Sequence, residues 1–309
     1  MSRTHVTLCS VMMLMILVGH HARVSAAGER SEYRTMRHTG SPFVIHYPSG
    51  KMRMAQTIEE LLTSSAYEIA SEIGLGRIDT IDVFLAADER SYREIHGGGV
   101  QEWSVAYSDI KNQVLGMRTD AVLQSARPLK VVIRHELSHL LLAQRVGGVR
   151  CPTWFVEGLA MVQSDEWTFS DYWRLVNLVW RRELPYLDEL EGVFPRLPRD
   201  ASLAYGLSYL AVKELLRERR EDLITLTAFV RDLGSFEAAF FFTFGESPED
   251  FSIRFHILVS RRYGKVGVAM QTAPYWLILT LLFILAYTIR RFRNRRKLRE
   301  WERMEVDER

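Results

Sequence analysis

Residues 131–142 read VVIRHELSHLLL, and this stretch fixes both a helix and a chemistry. His135 and His139 are four apart, so on a helix they project from one face, one turn above the other. Val132, Ile133, Leu137, Leu140 and Leu141 supply an apolar side that buries the helix and holds the pair on a rigid support. Two neutral imidazoles at this separation can share one Zn²⁺ through bonds of about 2.0–2.1 Å. Glu136, beside the first histidine, can reach a water on that ion without ligating it. Two satisfied histidines on a surface helix would give the same letters, so the downstream sequence has to discriminate. There, residues 152–160 read PTWFVEGLA. A catalytic zinc takes three protein ligands and keeps a position open. Glu157, at the start of a second helix, supplies an oxygen, and Gly158 allows that helix close approach.

On the N-terminal side, Phe43–Tyr47 alternates like a short strand and ends in the turn cluster Pro48-Ser49-Gly50. Residues 55–73 suit an amphipathic helix closed by Gly74, and Ile81–Leu85 reads as a buried strand. Ser91–Ile95 is helical and is broken by Gly97-Gly98-Gly99. That triple glycine lacks the Lys-Ser/Thr of a phosphate loop and reads as a plain flexible loop. Two strands are predicted near Trp103–Tyr107 and Gln113–Met117, joined at Ser108-Asp109. From Pro128 onward the pattern is helical, over residues 165–182, 202–217, 222–233, 236–244 and 248–263. A strand-containing N-terminal part followed by a helical C-terminal part is an α+β arrangement.

The two ends read as membrane signals. Residues 1–27 have a positive start at Arg3, an apolar run from Val6 to Gly19, and small residues at Ser25-Ala26-Ala27, the pattern of a signal peptide. Residues 28–42 are polar and read as a linker. Residues 273–289 are uncharged and reach the ~17-residue lower limit for a transmembrane helix, with Tyr275 and Trp276 at one end. Residues 290–309 open with Arg290, Arg291, Arg293, Arg295, Arg296, Lys297 and Arg299, which marks a cytoplasmic tail. The expected localisation is therefore the cell membrane, single-pass, with residues 28–272 extracytoplasmic and membrane lipid as a partner. The 309 residues carry a net charge of +2, and the tail turns acidic after Glu300, so no nucleic-acid role is expected. Of the two cysteines, Cys9 lies in the N-terminal apolar run. Processing would leave Cys151 alone, with no intramolecular disulfide and no cysteine metal cluster.

The chain resembles the gluzincin zinc metallopeptidases, specifically the peptidase MA-like family, whose pattern is HExxH followed by W-x-x-E-G-x-A. The match is carried by His135, Glu136, His139, Trp154, Glu157, Gly158 and Ala160. Looser similarity extends over roughly residues 43–263, through Ala204-Tyr205-Gly206-Leu207-Ser208 and the 234–251 stretch. The resemblance implies a thermolysin-like catalytic domain over residues 43–265, with zinc held by His135, His139 and Glu157. It implies Glu136 as general base, Tyr205 as the donor to the oxyanion, and a peptide or protein substrate. A strand within Trp103–Met117 could pair with extended peptide by backbone hydrogen bonds. In one respect the chain departs from the pattern: some gluzincins carry an acidic partner for a ligand histidine one turn after the glutamate ligand, and here Met161 stands there. Alternatives are a non-catalytic zinc-containing membrane receptor or scaffold, and a metallohydrolase acting on another amide. An intramembrane protease is disfavoured, because Arg134, Gln144 and Arg145 flank too short an apolar run. The sequence leaves the substrate and the oligomeric state open.

Overall fold

The computed structural model describes residues 33–96, 105–124, 127–167, 176–177, 179, 184–192, 198–217 and 219–307. Among these, the N-terminal part forms one five-stranded sheet. Its strands are β1 (Tyr33–Met36), β2 (Phe43–Pro48), β3 (Ile81–Ala86), β4 (Ala106–Asp109) and β5 (Val114–Arg118), in the order β1-β2-β3-β5-β4. The inner pairs β2/β3 and β3/β5 are parallel, and the edge strands β1 and β4 pair antiparallel with their neighbours. Burial follows position. β2 alternates, with Phe43, Ile45 and Tyr47 inward, whereas five of the six residues of central β3 are buried, as a strand covered on both faces requires. The parallel β2–β3 connection runs through α1 (Met52–Ile73), which packs Ile58, Leu62, Ile69 and Ile73 inward. α2 (Glu89–His96) and α3 (Thr119–Gln124) flank β3 and β5.

The helical part comprises α4 (Leu129–Val146), α5 (Thr153–Ser164), a 3₁₀ turn at Asp188–Gly192, α6 (Pro198–Leu215), α7 (Asp222–Leu233), α8 (Phe236–Phe244) and α9 (Pro248–Asp307). The result is a mixed α/β protein in which the strands, with α1–α3 among them, come first and the remaining helices follow. Trp154 and Phe155 of α5 anchor it in an aromatic cluster: Trp154 stacks on Phe251 at 5.8 Å and Phe155 meets Phe236 at 5.0 Å. The start of α9 is set by Ser247, whose Oγ accepts from Asp250 N at 3.1 Å ahead of Pro248 in the first helical position.

The chain divides into two compact units, Met1–Phe169 with Leu187–Ser252, and Ser170–Tyr186 with Ile253–Arg309. The first holds the sheet and all the residues discussed below as a site. In the second, the His256 ring lies on Tyr186 at 4.4 Å, with Nε2 3.1 Å from the Leu184 carbonyl. Its Tyr275–Arg293 stretch is 19 helical residues, apolar enough to cross a membrane by length and composition, and its apolar part is unburied.

Four sequence expectations change. The stretch 28–42 is not all linker, because Tyr33–Met36 forms edge strand β1. Its residues are polar and partly exposed, so pairing with β2 makes it a strand and no alternation announces it. Ser108 and Asp109 end β4 rather than forming the turn. The turn follows at Ile110–Asn112, where Asp109 Oδ1 accepts from Asn112 N at 3.1 Å and Gln113 takes a left-handed φ of 53°. α3 is an additional short helix. Finally, no helix starts at Asp165; that residue ends α5 in a left-handed conformation, φ 56°. The predicted signal peptide, the triple glycine and Trp103 lie outside the described residues.

Candidate metal centre

Two adjacent helices build the site. α4 presents His135 and His139 on one face, their ring centroids 5.0 Å apart. α5 brings Glu157 opposite them. Glu157 Oε2 lies 3.6 Å from His135 Nε2 and 3.7 Å from His139 Nε2, and one donor atom from each residue falls within 4.8 Å of the others. These separations are too long for hydrogen bonds, and Glu157 Oε2 is buried without a hydrogen-bond partner. Three ligands at about 2.0–2.1 Å from one tetrahedral ion stand roughly 3.3 Å apart. Both carboxylate–imidazole separations exceed that by only a few tenths of an ångström, and two imidazoles with a carboxylate are a donor set that could hold a metal ion.

Local packing holds Glu157 in place. A Cβ on Gly158 would come within 2.2 Å of the Ser208 carbonyl oxygen, so only glycine lets α5 lie this close to α6. The first turn of α5 is tied down by Glu191, whose carboxylate accepts from Thr153 N at 2.5 Å and from Thr153 Oγ1 at 2.9 Å. A negative group at a helix N-terminus is favourably placed against the macrodipole. α4 and α5 are cross-linked as well. Arg134 Nε donates to the Gln163 carbonyl at 2.6 Å, and Ser138 Oγ donates to Gln163 Oε1 at 2.7 Å. Gln163 Nε2 reaches Glu72 of α1 at 3.0 Å, and Arg134 pairs with Glu68 on the same helix.

Beyond α5, Glu166 N donates to the Met161 carbonyl at 3.0 Å, the six-to-one bond of a Schellman ending. The reversal turns the Glu166 side chain back to the site. Its Oε2 lies 3.1 Å from His135 Nδ1 and its Oε1 2.5 Å from Arg127 Nη1. Sequence reasoning missed Glu166 because residues 165–182 read as one helix. The acidic pair Asp165-Glu166 straight after the second helix was the only signal of it.

The charges around His135 are strongly negative. Burial alone would push its pKa down, but the carboxylates of Glu157 and Glu166 and the nearby charge of Glu136 outweigh that and raise it to about 10. Burial raises the Glu157 carboxyl, and the facing His139 and His135 more than reverse this, holding it below its usual range. Glu166 behaves alike, with burial opposed by His135 and Arg127. A pocket in which three carboxylates surround one imidazole favours a cation, whether proton or metal. Tyr205, on α6, is half-buried, and its phenol is pushed up by burial and then by Glu157, Glu136 and Glu166, so it stays protonated. Glu136 is half-buried on α4.

The remaining residues of note stand apart from this cluster. His46 bridges Thr35 and Asp82 at 3.1 Å on each side and lies on Phe84, and His38 pairs with Glu59. Cys151 is half-buried, with its thiol pushed up to about 12 by burial and the charge of Glu237. No family model matches the chain, and no curated protein matches it.

Proposed function

We propose that the chain is a membrane-anchored zinc metallopeptidase of the gluzincin type, with a thermolysin-like catalytic domain. The observation that carries this reading is the convergence of His135, His139 and Glu157 on one point, from two separate helices, around a buried carboxylate oxygen that has no hydrogen-bond donor. The mixed sheet with antiparallel edge strand β4, followed by the two ligand-bearing helices, supports the fold assignment.

Bound zinc would lower the pKa of a coordinated water to about 7 and polarise the scissile carbonyl. Glu136, next to His135 and outside the ligand set, takes the proton from the attacking water and passes it to the leaving amine. Tyr205 retains its proton and donates a hydrogen bond to the oxyanion. In this reading a strand within residues 103–117 aligns an extended peptide by backbone pairing. Tyr275–Arg293 spans the bilayer, the basic tail lies in the cytoplasm, and the site faces the extracytoplasmic side.

The decisive experiment is metal analysis of the purified protein together with a broad peptide-library screen, on wild type and Glu136→Gln. One zinc per chain in both, with cleavage by wild type only, is the expected result. A Glu136→Gln variant as active as wild type refutes the assigned base. Zinc binding without any cleavage by wild type replaces the peptidase with a receptor or scaffold.

A further inference from the structure

We infer that Glu166, itself held by Arg127, is the residue that orients His135 for the metal, and that it reaches the site through the left-handed turn at Asp165. This inference rests on the zinc reading above and adds to it a role for residues outside both motifs.

An imidazole can offer a lone pair from Nε2 only when Nδ1 carries the hydrogen. His135 Nε2 is the atom facing Glu157. Its Nδ1 and Glu166 Oε2 are both buried and neither has a hydrogen-bond partner, yet they lie 3.1 Å apart, so a small rotation of the ring or carboxylate would bring each to the other. With that bond closed, the carboxylate selects the tautomer that can ligate and fixes the plane of the ring. The Glu166 side chain is only 8% exposed, and Arg127 holds its second oxygen, so the orienting group is itself restrained.

The geometry explains why the acid sits so far along the chain. In a continuous helix, position 166 would lie about 13 Å along the axis from position 157 and about 180° around it, on the opposite face. The turn that would place a helix-borne acid beside the ligands holds Met161, which is buried and apolar. Breaking the helix at Asp165 returns the chain toward α4 and supplies from outside the helix the carboxylate that α5 lacks. Glu166 is a positioning residue, since it lies against His135 Nδ1 and not against the Nε2 that faces Glu157.

The test uses the full chain with zinc in chelator competition, and with Co²⁺ for its visible absorption bands, which report ligand geometry. Glu166→Gln is expected to weaken zinc binding by roughly 10–100-fold and to alter the cobalt spectrum. Arg127→Ala, at a side chain 63% exposed, should weaken binding less, and the double variant should bind no more weakly than Glu166→Gln alone. Wild-type affinity and spectrum in Glu166→Gln would overturn the orienting role, and full additivity in the double variant would overturn the relay. Should Glu166→Gln lose its fold by circular dichroism, Arg127→Ala decides, since an unchanged affinity and spectrum there sinks the proposal. If wild type binds neither ion, the zinc reading itself has failed, which is a separate result.

Discussion

Gly158 leaves no space for a side chain, since the atom that would collide with an added Cβ is a backbone carbonyl that cannot rotate away. Gly158→Ala should therefore force α5 and α6 apart and destabilise the fold by roughly 1–3 kcal/mol, read as a lower urea midpoint. Because Glu157 is the adjacent residue, metal affinity should fall with it. A variant as stable as wild type would mean that the two helices do not meet as described. Cys151 gives a second test at this scale. Its proton is held up to about pH 12 in the fold, so the thiol's contribution to stability is present below the pKa of an unfolded thiol and is lost as pH rises toward 12. Alkylation at pH 8, located by mass spectrometry, should be slow at Cys151 in the folded chain and fast in urea. Residue identities were legible wherever the geometry is local. The spacing of His135 and His139 on one helix, and the glycine after Glu157, need no knowledge of the rest of the fold. Glu166 was not legible, because its role depends on where a helix stops.

The end of α5 is the element on which that role turns. Asp165 adopts φ 56°, a region that Asp tolerates and β-branched residues resist. Asp165→Gly should keep both stability and metal affinity close to wild type. Asp165→Val should cost on the order of 1–3 kcal/mol and should weaken metal binding as well, because it displaces Glu166. Urea unfolding and chelator competition on the two variants separate these effects, and equal behaviour of Gly and Val at this position would remove the turn from the explanation. Elements with strong apolar periodicity, such as α1 and α4, were readable from the sequence. β1 and α3 were not: one is a polar edge strand made by its neighbour and the other a single short helix, and neither buries enough apolar surface to leave a pattern.

At the level of the whole molecule, the C-terminal apolar segment needs no tertiary information to be recognised. In a water-soluble protein Leu277, Ile278, Leu281 and Phe283 would have to be covered, yet each is exposed along a helix whose apolar window is unburied. At about 25 cal/mol per Å² of apolar surface, leaving such a helix in water is costly enough that a bilayer is the natural cover. On the proposed reading charge sets the orientation: seven Lys or Arg residues between 290 and 299 would resist translocation and keep the segment that follows them in the cytoplasm. The full chain should therefore remain in membranes through alkaline carbonate extraction. Protease added outside intact cells should digest the unit that carries His135 while leaving a tag placed after Arg309 protected. Release by carbonate would remove the anchor. A digested tag with a protected His135 unit would reverse the orientation and put the proposed active site in the cytoplasm, where the substrates on offer differ.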